Sequence, residues 1–321
     1  MKKAKDMAWG ALLHLGTNMW GDKTLPVGMT YDEIKKNYRT DHLLLDEGVW
    51  NEAVSKMVDA GMNMVVLDLG EAVVYPSCPQ LAVKGAWTPD RLKAELKRLR
   101  GLGLEPIPKL NFSATHDTWL GEYHRMVSTP EYYHVCAGII RDVSEMFDCP
   151  RLLHIGYDEE GEHCQKDYEF AVVRQGELWW HDFLWFVNEV EKNGMRSWIW
   201  SDYYWNHGDE FLKRMPRSVV QSNWYYGASL EWPYNESSRH VANAFKDLDK
   251  AGFDQIPCGS NWGCRCNFAA LVYFCREYLD PDRVLGFLTA PWVFTTPAGR
   301  QRLLESIDQV KRVLKGEYAW N

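Results

Sequence analysis

Eight short apolar runs alternate with eight amphipathic stretches along the chain. The runs predict strands at 8–16, 62–70, 104–112, 151–159, 195–202, 218–226, 253–261 and 283–292. The stretches between them predict helices near 49–60, 88–102, 130–147, 177–193, 208–215, 237–251, 267–278 and 297–315. Strands that alternate regularly with helices are typical of a parallel sheet with helical crossovers. The pattern therefore predicts an α/β protein, either a closed barrel or an open doubly wound sheet.

Several element boundaries carry a chemical signature. Thr-Pro pairs at 88–89, 129–130 and 296–297 supply a helix cap followed by a proline in the first turn. Glycines stand between the helices and the next apolar runs, where helix-to-strand turns need them. A length of 321 residues suits one barrel, and no low-complexity linker divides the chain. We therefore expect a single (β/α)8 TIM barrel that occupies 1–321 as one domain.

Charge and hydropathy exclude two classes of partner. The net charge is −8, whereas nucleic acids and anionic membranes are bound by clustered Lys and Arg. No apolar run approaches the roughly 18 residues of a membrane span. The first 16 residues begin with lysines, but their apolar part is too short for a signal peptide. We expect either a cytoplasmic protein or one whose leader has been removed.

The eight cysteines do not predict a metal centre. Cys258, Cys264 and Cys266 lie close together in sequence, but they lack the paired C-x-x-C spacing of a zinc site. We therefore expect free thiols and no metal or other cofactor.

Polar and aromatic side chains gather at the predicted carboxyl ends of the strands, where barrel enzymes place their active sites. The candidate site residues are Glu71, Asn111, His116, His154, Asp158, Glu159, Trp200, Asp202, Trp224, Tyr225, Tyr226, Trp262 and Trp292. The chain also contains 16 tryptophans, well above the usual content, and some of them must belong to the core. Indole rings stack on sugar faces, and carboxylates and amides bind hydroxyls. This combination predicts a carbohydrate pocket.

The fourth predicted strand, RLLHIGYDEEGEH, ends in three consecutive carboxylates. Strand alternation places His154 and Asp158 on the same face as Leu152, and Glu159 enters from the rim. Two neighbouring carboxyl groups push their pKa values apart, so one acts as a proton donor while the other stays charged. A solvated loop or a helix cap is the structural alternative for these acids.

The segment HIGYDE resembles the H-x-G-G-D-E signature of glycoside hydrolase family 20, the β-N-acetylhexosaminidases, at His154, Gly156, Asp158 and Glu159. The preceding unit, from WTPDRL to NFSATH, is similar to the family's third helix and strand end, with Pro108 and His116 retained. SWIWSD and NWYYG resemble the family's tryptophan-bearing strand ends.

The resemblance implies a retaining, substrate-assisted hydrolysis of a terminal β-linked N-acetylhexosamine, in which the acetamido oxygen of the sugar attacks the anomeric carbon. Glu159 would be the general acid and base, Asp158 would hold the acetamido N–H, and Tyr225 or Tyr226 would donate to its carbonyl. The remaining roles implied are an acetamido wall of Trp200, Trp224 and Trp262, with His154 and His116 as supporting partners. The implied partner is an oligosaccharide or glycoside.

The chain departs from the family pattern at several places. Tyr157 replaces the second glycine, Asn111 replaces an aspartate, and Phe294 stands where the family has a glutamate. No arginine ends the first strand. In the family the arginine and the glutamate bind the sugar hydroxyls, so the resemblance implies the acid and acetamido chemistry rather than a particular sugar.

Three other functions remain open from the sequence. One is a retaining glycosidase with Asp202 or Glu71 as the nucleophile. Another is a metal-dependent sugar isomerase or epimerase that uses Glu159, Asp202 and a histidine. The last is a sugar-binding barrel without catalysis.

Overall fold

The predicted barrel is confirmed by a computed structural model, which describes residues 7–24, 38–166 and 168–317. Eight parallel strands form one sheet. They are β1 Ala8–His14, β2 Met64–Asp68, β3 Glu105–Lys109, β4 Leu152–His154, β5 Arg196–Trp200, β6 Val220–Ser222, β7 Cys258–Gly259 and β8 Gly286–Thr289. Their order in the sheet is β6-β5-β4-β3-β2-β1-β8-β7. Bridges from Gln221 to Gln255 and from Trp224 to Cys258 close the barrel between β6 and β7.

Helices connect the strands and pack around the barrel. They are α1 Glu47–Asp59, α2 Pro89–Gly101, α3 Pro130–Met146, α4 Gly176–Lys192, α5 Tyr203–Arg214, α6 Glu236–Lys250, α7 Asn267–Tyr278 and α8 Arg300–Leu314. Thr88 and Thr129 accept hydrogen bonds from the first turns of α2 and α3, as predicted. Two helix boundaries differ from the prediction by three residues or more. Helix α5 begins five residues early because a helical turn precedes a kink at His207, and 297–299 form a turn before α8.

The hydrophobic core has two layers. One lies inside the barrel and includes Leu12, Val66, Leu152 and Trp198. The other lies between the strands and the helices. Side chains that alternate along each strand supply both layers, so the strands are buried on both faces. The apolar interior provides a rigid base for the loops at the carboxyl ends of the strands.

Strand β4 is shorter than predicted. Leu152 faces the barrel interior, while Leu153, Ile155 and Tyr157 belong to the outer layer, as the alternation predicted. The strand ends at His154, however, because the backbone turns at Gly156, which has a φ of 73°. Asp158 and Glu159 therefore lie in a turn and not on an extended strand.

The sequence also predicted that the cysteines are free thiols and that no segment spans a membrane. All eight cysteines are free, and Cys264 Sγ lies 3.0 Å from Cys266 Sγ. Within the described ranges, none of the helices combines the length and apolar character of a membrane span.

Candidate active site

A cavity of about 370 Å³ opens at the carboxyl end of the barrel. Its lining residues are Trp20, His116, Asp158, Glu159, Trp200, Trp224, Tyr226, Trp262 and Trp292. All of them except Trp20 were predicted from the sequence. The cavity is therefore a mainly aromatic cup with one cluster of charged groups, His116, Asp158 and Glu159.

A tight turn after β4 presents the two carboxylates to the cavity. Gly156, Tyr157 and Glu159 have φ values of 73°, 71° and 55°. The turn also brings the backbone of Gly156 against Asn111, since a Cβ atom there would lie 2.0 Å from Asn111 Oδ1. Glycine is required at 156 both by the left-handed conformation and by this close approach.

His116 joins the two carboxylates. Its Nε2 lies 3.1 Å from Glu159 Oε2 and 3.4 Å from Asp158 Oδ2. On its other side, Asp158 Oδ1 accepts a hydrogen bond of 2.8 Å from Asn111 Nδ2. The backbone carbonyl of Asp158 accepts hydrogen bonds from the hydroxyls of Ser113 and Thr115. The loop after β3 thus fixes both the side chain and the backbone of Asp158.

Electrostatics make Asp158 an anion and His116 a cation. Burial alone would raise the pKa of Asp158, but the charge and hydrogen bond of His116, with Lys109 and Asn111, lower it to about 2. Burial would also lower the pKa of His116, but Asp158 and Glu159 raise it to about 10. Near neutral pH the two side chains therefore form a buried ion pair.

Asp202 holds Glu159 from behind. Its Oδ2 accepts a hydrogen bond of 2.8 Å from the Glu159 backbone N–H, and its Oδ1 accepts one of 3.3 Å from Trp224 Nε1. Burial and the nearby charge of Asp158 raise the pKa of Asp202 to about 8. Asp202 does not line the cavity. It contacts the cavity through the Glu159 backbone and the Trp224 ring.

The aromatic wall is internally braced. The rings of Trp224 and Tyr226 stack with centroids 5.1 Å apart, and those of Trp200 and Trp292 lie 5.6 Å apart. Trp292 Nε1 donates a hydrogen bond of 2.9 Å to the Tyr226 hydroxyl. The Tyr226 oxygen accepts this bond, and the same hydroxyl also lies within hydrogen-bond reach of the Cys258 thiol. Tyr225 is buried outside the lining, with its hydroxyl beside Ser238.

Two other predicted residues lie away from the cavity. His154 lies inside the barrel, its ring centroid 4.4 Å from that of Trp200, and its Nδ1 accepts the Gly156 backbone N–H. Burial, assisted by the charge of Lys109, lowers its pKa well below the ordinary value. Glu71 accepts hydrogen bonds from the backbone of Thr17 at 2.6 Å and Asn18 at 3.2 Å and so orders the loop after β1.

Trp20 and Lys109 are site components that the sequence prediction missed. Trp20 lies in the loop after β1, where strand periodicity gives no information, and packs against His14 and Phe294. Lys109 ends β3 inside the barrel, with Nζ 2.7 Å from Asp68 Oδ2. Lys109 could have been predicted, because a lysine at the end of a strand, beside other candidate residues, is a recognisable pattern.

The charged cluster also has the composition of a metal site. Ligand atoms of His116, Asp158 and Glu159 lie within 4.8 Å of one another. Metal-binding histidines almost always donate their second ring N–H to an oriented acceptor. His116 Nδ1 is buried and has no hydrogen-bond partner among the described residues. The donor set therefore fits an ion pair better than a metal centre.

No protein-family model and no curated protein sequence matches the chain. Solved structures do match. An exo β-N-acetylglucosaminidase of family 20 from Vibrio harveyi, in complex with N-acetylglucosamine, has a TM-score of 0.59 at 13% identity, covering 97% of this chain and 57% of that one. The family 20 β-N-acetylhexosaminidase of Streptomyces coelicolor gives 0.61 at 13% identity, covering 95% and 64%.

A β-N-acetylhexosaminidase from Bacteroides fragilis gives a TM-score of 0.59 at 13% identity, covering 94% of this chain and 65% of that one. The chain thus spans 57 to 65% of the length of these proteins. At this identity the likeness concerns the fold. The chain has a barrel similar to the catalytic barrel of the glycoside hydrolase family 20 β-N-acetylhexosaminidases.

Proposed function

We propose that the protein is a glycoside hydrolase that removes a terminal β-linked N-acetylhexosamine with retention, the sugar's own acetamido group being the nucleophile. One observation carries the proposal. Among the residues that the structure describes, Asp158 and Glu159 are the only carboxylates in the cavity lining, and they are adjacent in the chain. Both also contact one imidazole nitrogen, Nε2 of His116.

A conventional retaining glycosidase requires a different arrangement. Its two carboxyl groups flank the scissile bond, about 5 to 5.5 Å apart, and one attacks the anomeric carbon. Here the candidates for a second carboxylate are engaged elsewhere. Asp202 accepts the Glu159 backbone N–H, and Glu71 accepts the backbone N–H groups of Thr17 and Asn18. Among the described residues, the only other carboxylate in the lining is Asp158, which His116 and Asn111 hold beside Glu159. The arrangement therefore suits substrate assistance, in which Asp158 grips the acetamido group and does not attack the sugar.

Each lining group then has a role. Glu159, whose side chain is 44% exposed, protonates the departing glycosidic oxygen and afterwards accepts a proton from the attacking water. The Asp158 anion accepts the acetamido N–H, which gains positive charge as the acetamido oxygen bonds to the anomeric carbon. The Tyr226 hydroxyl donates to that oxygen and orients it. Trp200, Trp224 and Trp262 surround the acetamido methyl.

The comparisons support this substrate class. The Vibrio harveyi structure contains N-acetylglucosamine, a sugar with the 2-acetamido group that the mechanism uses. The aromatic lining also suits a pyranose ring, since indole faces stack on the apolar faces of sugars.

The test compares aryl β-glycosides of N-acetylglucosamine, N-acetylgalactosamine, glucose and galactose. We expect cleavage only of the N-acetylated sugars, and a loss in kcat/KM of about 10²- to 10⁴-fold in Glu159→Gln. Glu162→Gln, at an exposed position just beyond the turn, is the matched control and retains wild-type rates. Substrates with one, two or three fluorines on the acetyl group should react progressively more slowly. Equal cleavage of glucosides would contradict substrate assistance.

A further inference from the structure

The third carboxylate after β4 does not face the cavity. The Glu160 side chain is 2% exposed and forms an ion pair with Arg174, whose side chain is 1% exposed. Glu160 Oε1 also accepts a hydrogen bond of 2.8 Å from the backbone N–H of Ala114, two residues before His116. Glu160 therefore links the turn that carries Asp158 and Glu159 to the loop that carries His116.

The same arginine holds the residue on the other side of the pair. Arg174 Nη1 donates a hydrogen bond of 2.9 Å to the Tyr157 hydroxyl, and its guanidinium carbon lies 4.7 Å from the centroid of the Tyr157 ring. Arg174 Nη2 also donates to the carbonyl of Phe112 at 2.7 Å. One guanidinium thus contacts the residue before Asp158 and the residue after Glu159.

The backbone between these contacts is strained. Tyr157 and Glu159 both have positive φ values, 71° and 55°. Residues in this conformation are strained and persist only where their surroundings enforce it. The Tyr157 ring is enclosed by Trp179 and Phe183, at centroid distances of 5.4 and 5.2 Å. Arg174 adds the polar contacts that this apolar packing cannot supply.

We propose that Arg174 is a positioning residue, which fixes Asp158 and Glu159 by holding Tyr157 and Glu160 on either side of them. The role requires arginine, because the planar guanidinium presents five donors in a rigid fork whereas lysine presents one ammonium group. The proposed role of Arg174 also explains why position 157 holds a tyrosine. The tyrosine side chain extends away from the cavity and supplies the acceptor and the ring that Arg174 contacts.

The kinetic test rests on the proposed function and uses Arg174→Lys, Tyr157→Phe and Glu160→Gln. We expect kcat for an aryl N-acetylglucosaminide to fall about 10- to 100-fold in Arg174→Lys, since displacing a catalytic group by 1 Å costs about 10²-fold. KM should stay within about threefold, because the aromatic wall is unchanged. Arg214→Met is the control, as Arg214 forms an exposed ion pair with Glu177 on α4.

A second readout does not depend on turnover. In Arg174→Lys, hydrogen–deuterium exchange should accelerate in the peptides that cover 112–116 and 155–161. In Glu160→Gln it should accelerate in the peptide that covers 112–116. Exchange elsewhere, and throughout Arg214→Met, should match the wild type.

If Arg174→Lys does not fold, Tyr157→Phe and Glu160→Gln supply the same comparisons. Unchanged exchange in those peptides, or unchanged kcat in an active wild-type background, would overturn the proposal. A wild type inactive on every N-acetylhexosaminide would refute only the proposed function, and the exchange result would still decide the role of Arg174.

Discussion

Asn111 and Asp158 lie side by side, with the asparagine Nδ2 donating to the aspartate Oδ1 across 2.8 Å. A neutral donor at this position stabilises the Asp158 anion without adding charge. Together with the His116 cation, it accounts for an ionised carboxylate in a buried site.

Replacing Asn111 by aspartate should disturb this balance. Two carboxyl groups at hydrogen-bond distance share one proton, so the pKa of the pair rises. We expect kcat/KM at neutral pH to fall at least tenfold in Asn111→Asp, with the acidic limb of its pH profile moved to higher pH. Asn51→Asp, at an exposed site, is the control. An unshifted profile would show that Asp158 does not act as an anion.

The two neighbouring tyrosines offer a matched comparison. Tyr226 lines the cavity and Tyr225 does not. Removing the Tyr226 hydroxyl deletes a hydrogen bond worth about 1 kcal/mol or more, so kcat/KM for an N-acetylglucosaminide should fall about fivefold or more in Tyr226→Phe. Tyr225→Phe should stay within about twofold. Equal losses in both variants would assign the effect to packing.

Asp202 should give the folded state a distinctive pH dependence. Its pKa is raised from an ordinary 3.8 to about 8, so between these values the unfolded chain binds fewer protons than the folded one. The contribution of Asp202 to the free energy of unfolding is therefore greatest below pH 3.8 and falls as the pH rises toward 8.

Urea unfolding of the wild type and Asp202→Asn across pH 4 to 8 measures this contribution. We expect the stability of the wild type relative to the variant to decline as the pH rises. Asp158 has the opposite sign, because its lowered pKa contributes stability that is lost only as the pH falls from 3.8 toward 2. A wild-type advantage that grows with pH would mean that Asp202 is ionised in the folded protein.

Gly156 and Gly103 separate backbone strain from steric exclusion. Both have positive φ, 73° and 81°, but nothing lies within 4 Å of a Cβ placed at Gly103. We expect Gly103→Ala to lower the free energy of unfolding by about 1 kcal/mol, the cost of a left-handed alanine. Gly156→Ala should cost about 3 kcal/mol or more and abolish turnover. Similar melting temperatures for the two variants would contradict the close approach to Asn111.

Removing metal ions should leave the enzyme unaffected. His116 is already paired with two carboxylates, and its Nδ1 has no acceptor among the residues that the structure describes, unlike a typical metal ligand. Dialysis against a chelator should therefore preserve kcat/KM, measured before and after with the same substrate. A loss restored by one divalent cation would favour the metal-dependent isomerase.

The sequence predicted the fold well because periodicity and capping are local signals. Strand alternation also placed Leu152 in the barrel and Tyr157 in the outer layer. It failed after His154, where Gly156 and Tyr157 leave the extended conformation. Alternation also could not distinguish Tyr225 from Tyr226, because β6 ends at Ser222 and both tyrosines lie beyond the extended strand.

The predicted candidates that lie around the cavity are residues that follow strand ends, whereas residues in loops that return to the cavity were not among the candidates. Trp20 reaches the cavity from the loop after β1, and Arg174 reaches the turn from beyond a long irregular segment. Neither position has a period or a motif. Their contacts depend on tertiary packing, which a single sequence does not encode locally.

The close approach of Gly156 to Asn111 also limits which residues can replace either of them. A larger residue at 156 would need a smaller one at 111, because the Asn111 side chain fills the space that a Cβ at 156 would take. Substitutions at positions 111 and 156, which are 45 residues apart, are therefore coupled. The two positions should covary in any set of homologues that retains this turn.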